Sequence, residues 1–462
     1  MILENRNILV KVLGCRSSLC EGEFIAGKLA LMGANITDDF NAENLSAAVI
    51  VTCSVTSEAD KKCRQIIRRA RRILGDDGVL AVCGCWAERE NFGDFGIDII
   101  AGSRGKIFIP NEIAGMLSTG KREFRDLRKV SRENSWEELA INYPVLHSRA
   151  FVKIQDGCDH FCTYCIIPFL RGKPISRPEE NILREIERLI SNGCREIILT
   201  GIHLGLYGRD INSSLANLIA KISRVKNLAR LRLGSLEPFS LDENLLRKLS
   251  ECEIFCPHLH LPLQSGDDKI LEAMRRGYNS GEFLRICENA RKFLGENLHI
   301  SSDILVGFPG EDDRAFQNTL QIMKSAKFGR VHVFPYSPRN GTLAAKFPGQ
   351  IAPETKNSRT NQAIELGKNL FTDYARNFLG SEIEVLVEKS GANYAIGHSR
   401  HYIEVSIPQN LERNQLITLR AKTFSDARLE AEFITPNTPD NRNLRREFQA
   451  KSCVREPEKF SS

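Results

Sequence analysis

The hydrophobic and polar positions change their rhythm along the chain. Over about residues 1–118, short apolar runs alternate with helical patterns. Ile8–Leu13, Ala47–Val51 and Val79–Val82 read as strands, and Gly22–Met32 and Ser57–Leu74 as helices. Continuous apolar strands between helices predict an open parallel sheet covered on both faces. Residues 119–146 are charged, show little periodicity and read as a linker. From 147 to 375 the strand–helix alternation resumes. Six strand signals (Phe151–Ile154, Glu196–Leu199, Leu231–Leu233, Leu259–Leu263, Ile304–Val306 and Val331–Phe334) predict a partial (β/α)6 barrel rather than a closed eight-fold one. Within 376–436 the period becomes strictly two, in Ile383–Val387, Tyr402–Ile407 and Leu416–Leu419. That pattern predicts a small antiparallel β domain. The charged tail, 437–462, has few large apolar residues and reads as disordered. The fold class is therefore α/β, in three successive units.

Composition narrows the chemistry. At 462 residues and 42% hydrophobic content the chain can build its cores without disulfides. A net charge of +6 leans only weakly toward a polyanionic partner. The first residues carry an acid where a secretory signal has a basic flank, and no apolar run approaches the roughly 20 residues that span a bilayer. The expectation is a cytoplasmic protein with reduced thiols, so the 14 cysteines point to metal rather than disulfides.

Three of them, Cys158, Cys162 and Cys165, stand in a C-x3-C-x2-C spacing directly after the first barrel strand. Thiolates this close can wrap one side of an iron–sulfur cube. Such clusters normally take four cysteines, so three leave one iron open to a reacting ligand. A structural zinc site would need a fourth ligand at a set distance, and none follows. A second set, Cys15, Cys53 and Cys85, lies just past three predicted strands of the first unit. Carboxyl ends of neighbouring parallel strands share one edge, so these cysteines are expected to converge and hold a second cluster with an open iron. The remaining cysteines, including Cys20, Cys63 and Cys83, read as ordinary thiols.

The segment FVKIQDGCDHFCTYCIIPFLR, residues 151–171, resembles the cluster loop of radical S-adenosylmethionine enzymes. The first unit resembles the N-terminal domain of the methylthiotransferase family within that superfamily. Glu21 matches the family pattern, whereas Ser18 and Val51 stand where Asn is usual. All three units resemble that family in order, over about residues 5–436. The stretches Leu199–Gly205, Ser235–Pro238, His258–Gly266, Asp303–Glu311 and His332–Ser337 are most similar to the branch acting on N6-threonylcarbamoyladenosine at position 37 of tRNA.

The resemblance implies two 4Fe-4S clusters and S-adenosyl-L-methionine as cofactors. It makes Cys158, Cys162 and Cys165 catalytic cluster ligands and Cys15, Cys53 and Cys85 the second ligand set. Tyr164, Glu237, Gln264 and Asp303 are implied as cofactor contacts. One cofactor molecule would methylate sulfur at the N-terminal cluster; a second, cleaved to a 5′-deoxyadenosyl radical, would open C2 of the adenine to the methylthio group. Implied partners are the tRNA anticodon loop, an electron donor such as flavodoxin or ferredoxin, and a sulfur donor. The C-terminal domain resembles the TRAM RNA-binding module, although residues 381–436 hold six Lys or Arg against eight Asp or Glu. The most basic stretch is Lys61–Arg72, with seven basic residues and no acid. The alternative substrates for this chain are those of related enzymes, N6-isopentenyladenosine in tRNA or an aspartate of a ribosomal protein. An iron–sulfur electron carrier with an RNA-binding appendage is the alternative of another class; it would have fully ligated clusters.

Overall fold

A computed structural model describes residues 2–54, 57–89, 95–129 and 135–434. The tail expected to be disordered lies outside the described residues. The first unit contains β1 (Asn7–Val12), α1 (Arg16–Leu31), β2 (Asn35–Thr37), β3 (Leu45–Thr52), α2 (Ser57–Leu74), β4 (Val79–Gly84), β5 (Ile99–Ile100), α3 (Ile109–Thr119) and β6 (Arg125–Asp126). The strands form one sheet in the order β2-β1-β3-β4-β5-β6, every pair parallel. All six residues of β4 are buried, as its uninterrupted apolar run requires. Two features were hidden in the pattern. Helix α1 begins at Arg16, six residues before its apolar periodicity is visible. Strand β6 lies inside the segment read as linker, pairing Arg125 with Ile99. With two charged residues, it offers no hydrophobic signal.

The second unit opens with β7 (Ala150–Lys153), β8 (Gln155–Asp156), α4 (Ile167–Arg171), β9 (Ile175–Ser176), α5 (Glu179–Ser191) and β10 (Glu196–Thr200). It continues through α6 (Leu215–Ile222), β11 (Arg230–Leu233), α7 (Glu243–Ser250), β12 (His258–His260), α8 (Asp268–Met274), α9 (Ser280–Leu294), β13 (His299–Val306), α10 (Asp313–Ser325), β14 (Arg330–Pro335) and α11 (Pro353–Arg376). Strands β7, β10 and β11 form one parallel sheet and β12, β13 and β14 another. Parallel bridges Leu231–Phe255 and Ser235–His260 join them. The six expected strands thus make an open half barrel. Side-chain caps from Ser214, Asp242, Asp267, Asn279 and Asp312 start the helices that cover its outer face. One apolar cluster runs from Ile8 and Val49 of the first sheet into Val152, Leu199 and Ile304 of the half barrel, so the two units share a core.

The third unit is a closed five-stranded barrel in the order β15-β16-β17-β19-β18, with β15 Glu382–Ser390, β16 Ala395–Ser399, β17 Glu404–Ile407, β18 Leu416–Ser425 and β19 Arg428–Phe433. The pairs are antiparallel except β17 with β19. Its β16–β17 turn plugs the amino end of the half barrel. Arg232 donates to the carbonyls of Ser399 and Arg400 at 2.8 Å, Arg230 to that of His398 at 3.0 Å, and Tyr402 stacks on His258 at 4.7 Å. Tyr402 therefore sits in a turn rather than in the strand its alternation suggested.

Candidate active site

The loop after β7–β8 is bent to present its thiols. Gly157 adopts φ 75°, and a Cβ there would fall 2.2 Å from the Lys173 carbonyl oxygen. Phe161 is forced to φ 50° between the first two cysteines. The Cys158 amide donates to Gly172 O at 3.1 Å, the Cys165 amide to Cys162 O at 2.9 Å, and Thr163 Oγ1 to Ala273 O at 2.8 Å. The last bond ties the loop to α8. Burial pushes the Cys158 thiol up to about 11 and Cys165 to about 12. Burial opposes ionisation of Cys162 too, but a hydrogen bond from His160 and the charge of Arg276 outweigh it and hold that thiol below its ordinary value.

Arg276 is the hub of this side. Fully buried, it places Nη1 3.3 Å from Cys162 Sγ and 3.4 Å from the Tyr164 hydroxyl, and it pairs with the Glu237 carboxylate. Cys162, Tyr164 and Glu237 are thus brought together. Asp303 stands apart on the concave face, 3.2 Å from His260 Nε2. His260 shares the Ser301 hydroxyl with His258, each at 2.9 Å. Gln264 has φ 69°, with its amide bonded to Asp303 O and its carbonyl accepting from the Leu305 amide. This residue positions the backbone between β12 and β13.

The second set forms at the carboxyl edge of the first sheet. Leu13 N donates to Val51 O at 2.7 Å, and Thr52 is in register with Gly84, so Cys15, Cys53 and Cys85 leave three adjacent strands at one level. A Cβ on Gly14 would lie 2.7 Å from Cys53 Cβ and 3.3 Å from its Sγ, which places the Cys15 turn directly on Cys53. Cys85 and Cys53 are buried and Cys15 is exposed. Ser18 reaches Cys15 Sγ at 3.7 Å, taking the place of the usual Asn, while Val51 is wholly in the core. Cys83, two residues earlier on β4, is wholly buried in the core cluster.

The two sets face one another. Cys85 packs on Ile166 and Leu170, immediately beyond Cys165. Between them lies a buried ionic lattice that sequence reasoning missed. Arg171 places Nε 3.2 Å from Cys85 Sγ and Nη1 3.0 Å from both Glu21 and Asp156. Lys153 and Lys106 reach the same Glu21 at 3.2 and 3.4 Å. Burial would raise the Glu21 carboxyl, but Arg171, Lys106 and Lys153 outweigh it and hold it at about 2. Arg171 Nη2 is buried with no hydrogen-bond partner. An orphaned cationic donor beside a thiol fits an anionic group at the Cys15–Cys53–Cys85 edge. Neither set is drawn together as the ligands of a single metal ion would be, and the soft all-thiol donor chemistry fits an iron–sulfur cluster.

A parallel half barrel with a three-thiol loop after its first strand defines an enzyme of the radical S-adenosylmethionine class. The Radical SAM superfamily model matches residues 152–323, and that of uncharacterized protein family UPF0004 matches 7–95. The chain is 34% identical over 406 residues to the threonylcarbamoyladenosine tRNA methylthiotransferase of Bacillus subtilis, covering 85% of this chain and 88% of that one. It is 33% identical over 402 residues to the tRNA-2-methylthio-N(6)-dimethylallyladenosine synthase of a Sulfurihydrogenibium species, covering 85% and 90%. A solved radical S-adenosylmethionine methyltransferase from Kitasatospora setae shares the fold at TM-score 0.52 and 14% identity, over 74% of each chain. The chain belongs to the methylthiotransferase family of radical S-adenosylmethionine enzymes, and it is a transferase. No helix of the described residues is long and apolar enough to cross a membrane.

Proposed function

We propose that this enzyme adds a methylthio group to C2 of N6-threonylcarbamoyladenosine at position 37 of tRNA. Relatives named for the threonylcarbamoyl and the dimethylallyl nucleoside match at nearly equal identity. The observation that favours the first is the lining of the half barrel. Arg16, His260, Asp303 and His332 interact around its concave face, which suits a substituent bearing a carboxylate and a hydroxyl better than a hydrocarbon one.

Cys158, Cys162 and Cys165 would hold one 4Fe-4S cluster, and Cys15, Cys53 and Cys85 the other. When bound, S-adenosylmethionine and the clusters supply the carbon radical, the methyl group and the sulfur. The chain supplies placement. Tyr164 and Glu237, fixed by Arg276, border the loop thiols and would meet the cofactor; Gln264 sets the backbone and Asp303 reads either ligand from the concave face. Arg171 would neutralise charge at the second cluster and brace it against the first. The contact of Cys85 with Ile166 sets the two thiol sets side by side, so groups held by them would react at short range.

We take the domain limits as 1–126, a linker to 146, then 147–375 and 376–436; the first limit moves on from 118 because α3 ends at Thr119 and β6 pairs with β5. The third unit acts as a TRAM-like RNA-binding module, with Arg420, Lys422 and Arg428 exposed on it. On α2, Lys61, Lys62, Arg68, Arg69 and Arg72 are exposed. Phosphates of the anticodon stem would meet such cations. A low-potential electron donor of the flavodoxin or ferredoxin type and a sulfur donor complete the partners, and the cytoplasm is where tRNA and reduced thiols coincide. Mass spectrometry of tRNA nucleosides from cells with and without the gene tests the reading. Loss of 2-methylthio-N6-threonylcarbamoyladenosine is expected; its persistence, with loss of a different methylthio nucleoside, overturns it.

A further inference from the structure

The concave face of the half barrel is cationic at its floor, and its guanidinium groups are not equivalent. Arg16, Arg149 and Arg232 surround the Tyr402 ring at 5.9, 5.3 and 4.9 Å. Arg232 is engaged by Glu196 at 2.8 Å and by two carbonyls of the β16–β17 turn. Arg149 is engaged by Glu388 at 3.1 Å and Glu196 at 3.8 Å. Arg16 differs. It is half-buried and donates Nη1 to Leu233 O at 3.3 Å, and among the described residues no carboxylate lies within ion-pairing distance of it. A guanidinium carries five donors in a planar fork, so most of this one remains available to a ligand.

Its placement ties it to the chemistry. Arg16 follows Cys15 in the chain and opens α1, so it leaves the edge where the second thiol set converges and extends over the concave face. Its charge reaches across that face: the Asp303 carboxyl, raised by burial, is held below its ordinary value by the His260 hydrogen bond, with His332 and Arg16 adding to the effect. A base presented between the two thiol sets would therefore have its exocyclic substituent within reach of Arg16. Asp303 and its His260 neighbour offer that substituent an acceptor and a polar wall, but no unpaired positive charge.

We propose that Arg16 is the specificity-determining residue that receives a carboxylate on the N6 substituent of the target adenosine. The inference rests on the substrate reading above and sharpens it. The threonylcarbamoyl group carries such a carboxylate, and the dimethylallyl group does not. A site built to bind a charged group rejects the analogue that lacks it, because its own charge is then left desolvated and unpaired. Selection would reside in a forked, charge-assisted contact beside the sulfur-bearing edge rather than in the shape of the base pocket.

The test uses the full-length enzyme with reconstituted clusters and anticodon stem-loop RNAs that differ only at position 37: threonylcarbamoyladenosine, the same nucleoside with its carboxylate converted to a methylamide, and dimethylallyladenosine. Binding is read by fluorescence anisotropy and product by mass spectrometry. The wild type is expected to bind the acid about ten- to a hundred-fold more tightly than the amide, the range of a charge-assisted hydrogen-bond pair. Arg16→Gln should bring the two to within about two-fold by weakening the acid alone, and Arg16→Lys should keep part of the preference. Equal binding of acid and amide by the wild type overturns the proposal whether or not Arg16→Gln folds, as does a folded Arg16→Gln enzyme that keeps the full ratio. If the wild type methylthiolates the threonylcarbamoyl loop but binds acid and amide alike, the substrate reading stands and the role of Arg16 falls. If it methylthiolates only the dimethylallyl loop, both fall.

Discussion

The two thiol sets are built in opposite ways. Cys158, Cys162 and Cys165 lie within one loop, bent by a left-handed Gly157 and a left-handed Phe161 and pinned by bonds to Gly172, Ala273 and Met274. Cys15, Cys53 and Cys85 are far apart in sequence and meet only because β1, β3 and β4 are adjacent and in register. The first set survives as long as its loop does. The second depends on the whole sheet and on the ionic lattice beneath it. The contrast suits a division of labour in which one site is a self-contained radical source and the other a sulfur site held against it by tertiary structure.

The largest expected effect comes from the local set. Cys162→Ala removes the one thiol of that loop that Arg276 and His160 favour as thiolate. It should abolish both methylthiolation and release of 5′-deoxyadenosine, measured by liquid chromatography of reaction mixtures. Release at a wild-type rate would contradict the assignment. Next comes the lattice that holds the two sets together. Glu21→Gln leaves Lys106, Lys153 and Arg171 without their shared carboxylate in a dry interior and should cost about 3–5 kcal/mol of stability. Denaturant titration checks this; a change under about 1 kcal/mol would show that the lattice does not brace the sheet. The same carboxylate gives a pH signature. Its pKa is held at about 2 in the folded chain, below its usual 4.5, so its stabilisation is complete above pH 4.5 and is lost as the pH falls from there toward 2. Melting temperature against pH should decline over that window in the wild type and less steeply in Glu21→Gln. The smallest effect is expected at Cys83, two residues before a proposed ligand but wholly buried in the core. Cys83→Ala should cost about 1 kcal/mol and leave the iron content unchanged.

The same contrast explains what could be read from sequence. The loop set is legible because its ligands, spacing and preceding strand share one short window. The strand-end set was legible because the apolar runs before Cys15, Cys53 and Cys85 announced parallel strands, and parallel strands share an edge. Six strands of the half barrel were visible for the same reason. Other elements had no such signal. Strands β2 and β6 are too short and polar to show a period, and α11 is largely solvated, with only Arg359, Ala363, Gly367 and Ala375 buried. Arg171, Arg276 and Arg16 act through partners tens to hundreds of residues away. An arginine in a sequence gives no sign of whether it meets a carboxylate, a thiol or water. The β16–β17 turn is the sharpest example: Tyr402 looked like a strand residue, and its role is to close the floor of another unit.

The central claim is that the two sets hold separate clusters with separate tasks. The most direct measurement is made on the reconstituted triple variant Cys15→Ala/Cys53→Ala/Cys85→Ala, with iron content and product analysis taken together. The account predicts that the variant keeps about half of the wild-type iron. It should still cleave S-adenosylmethionine to 5′-deoxyadenosine and form no methylthio nucleoside. Wild-type iron content in the variant, or methylthio product from it, would contradict the account.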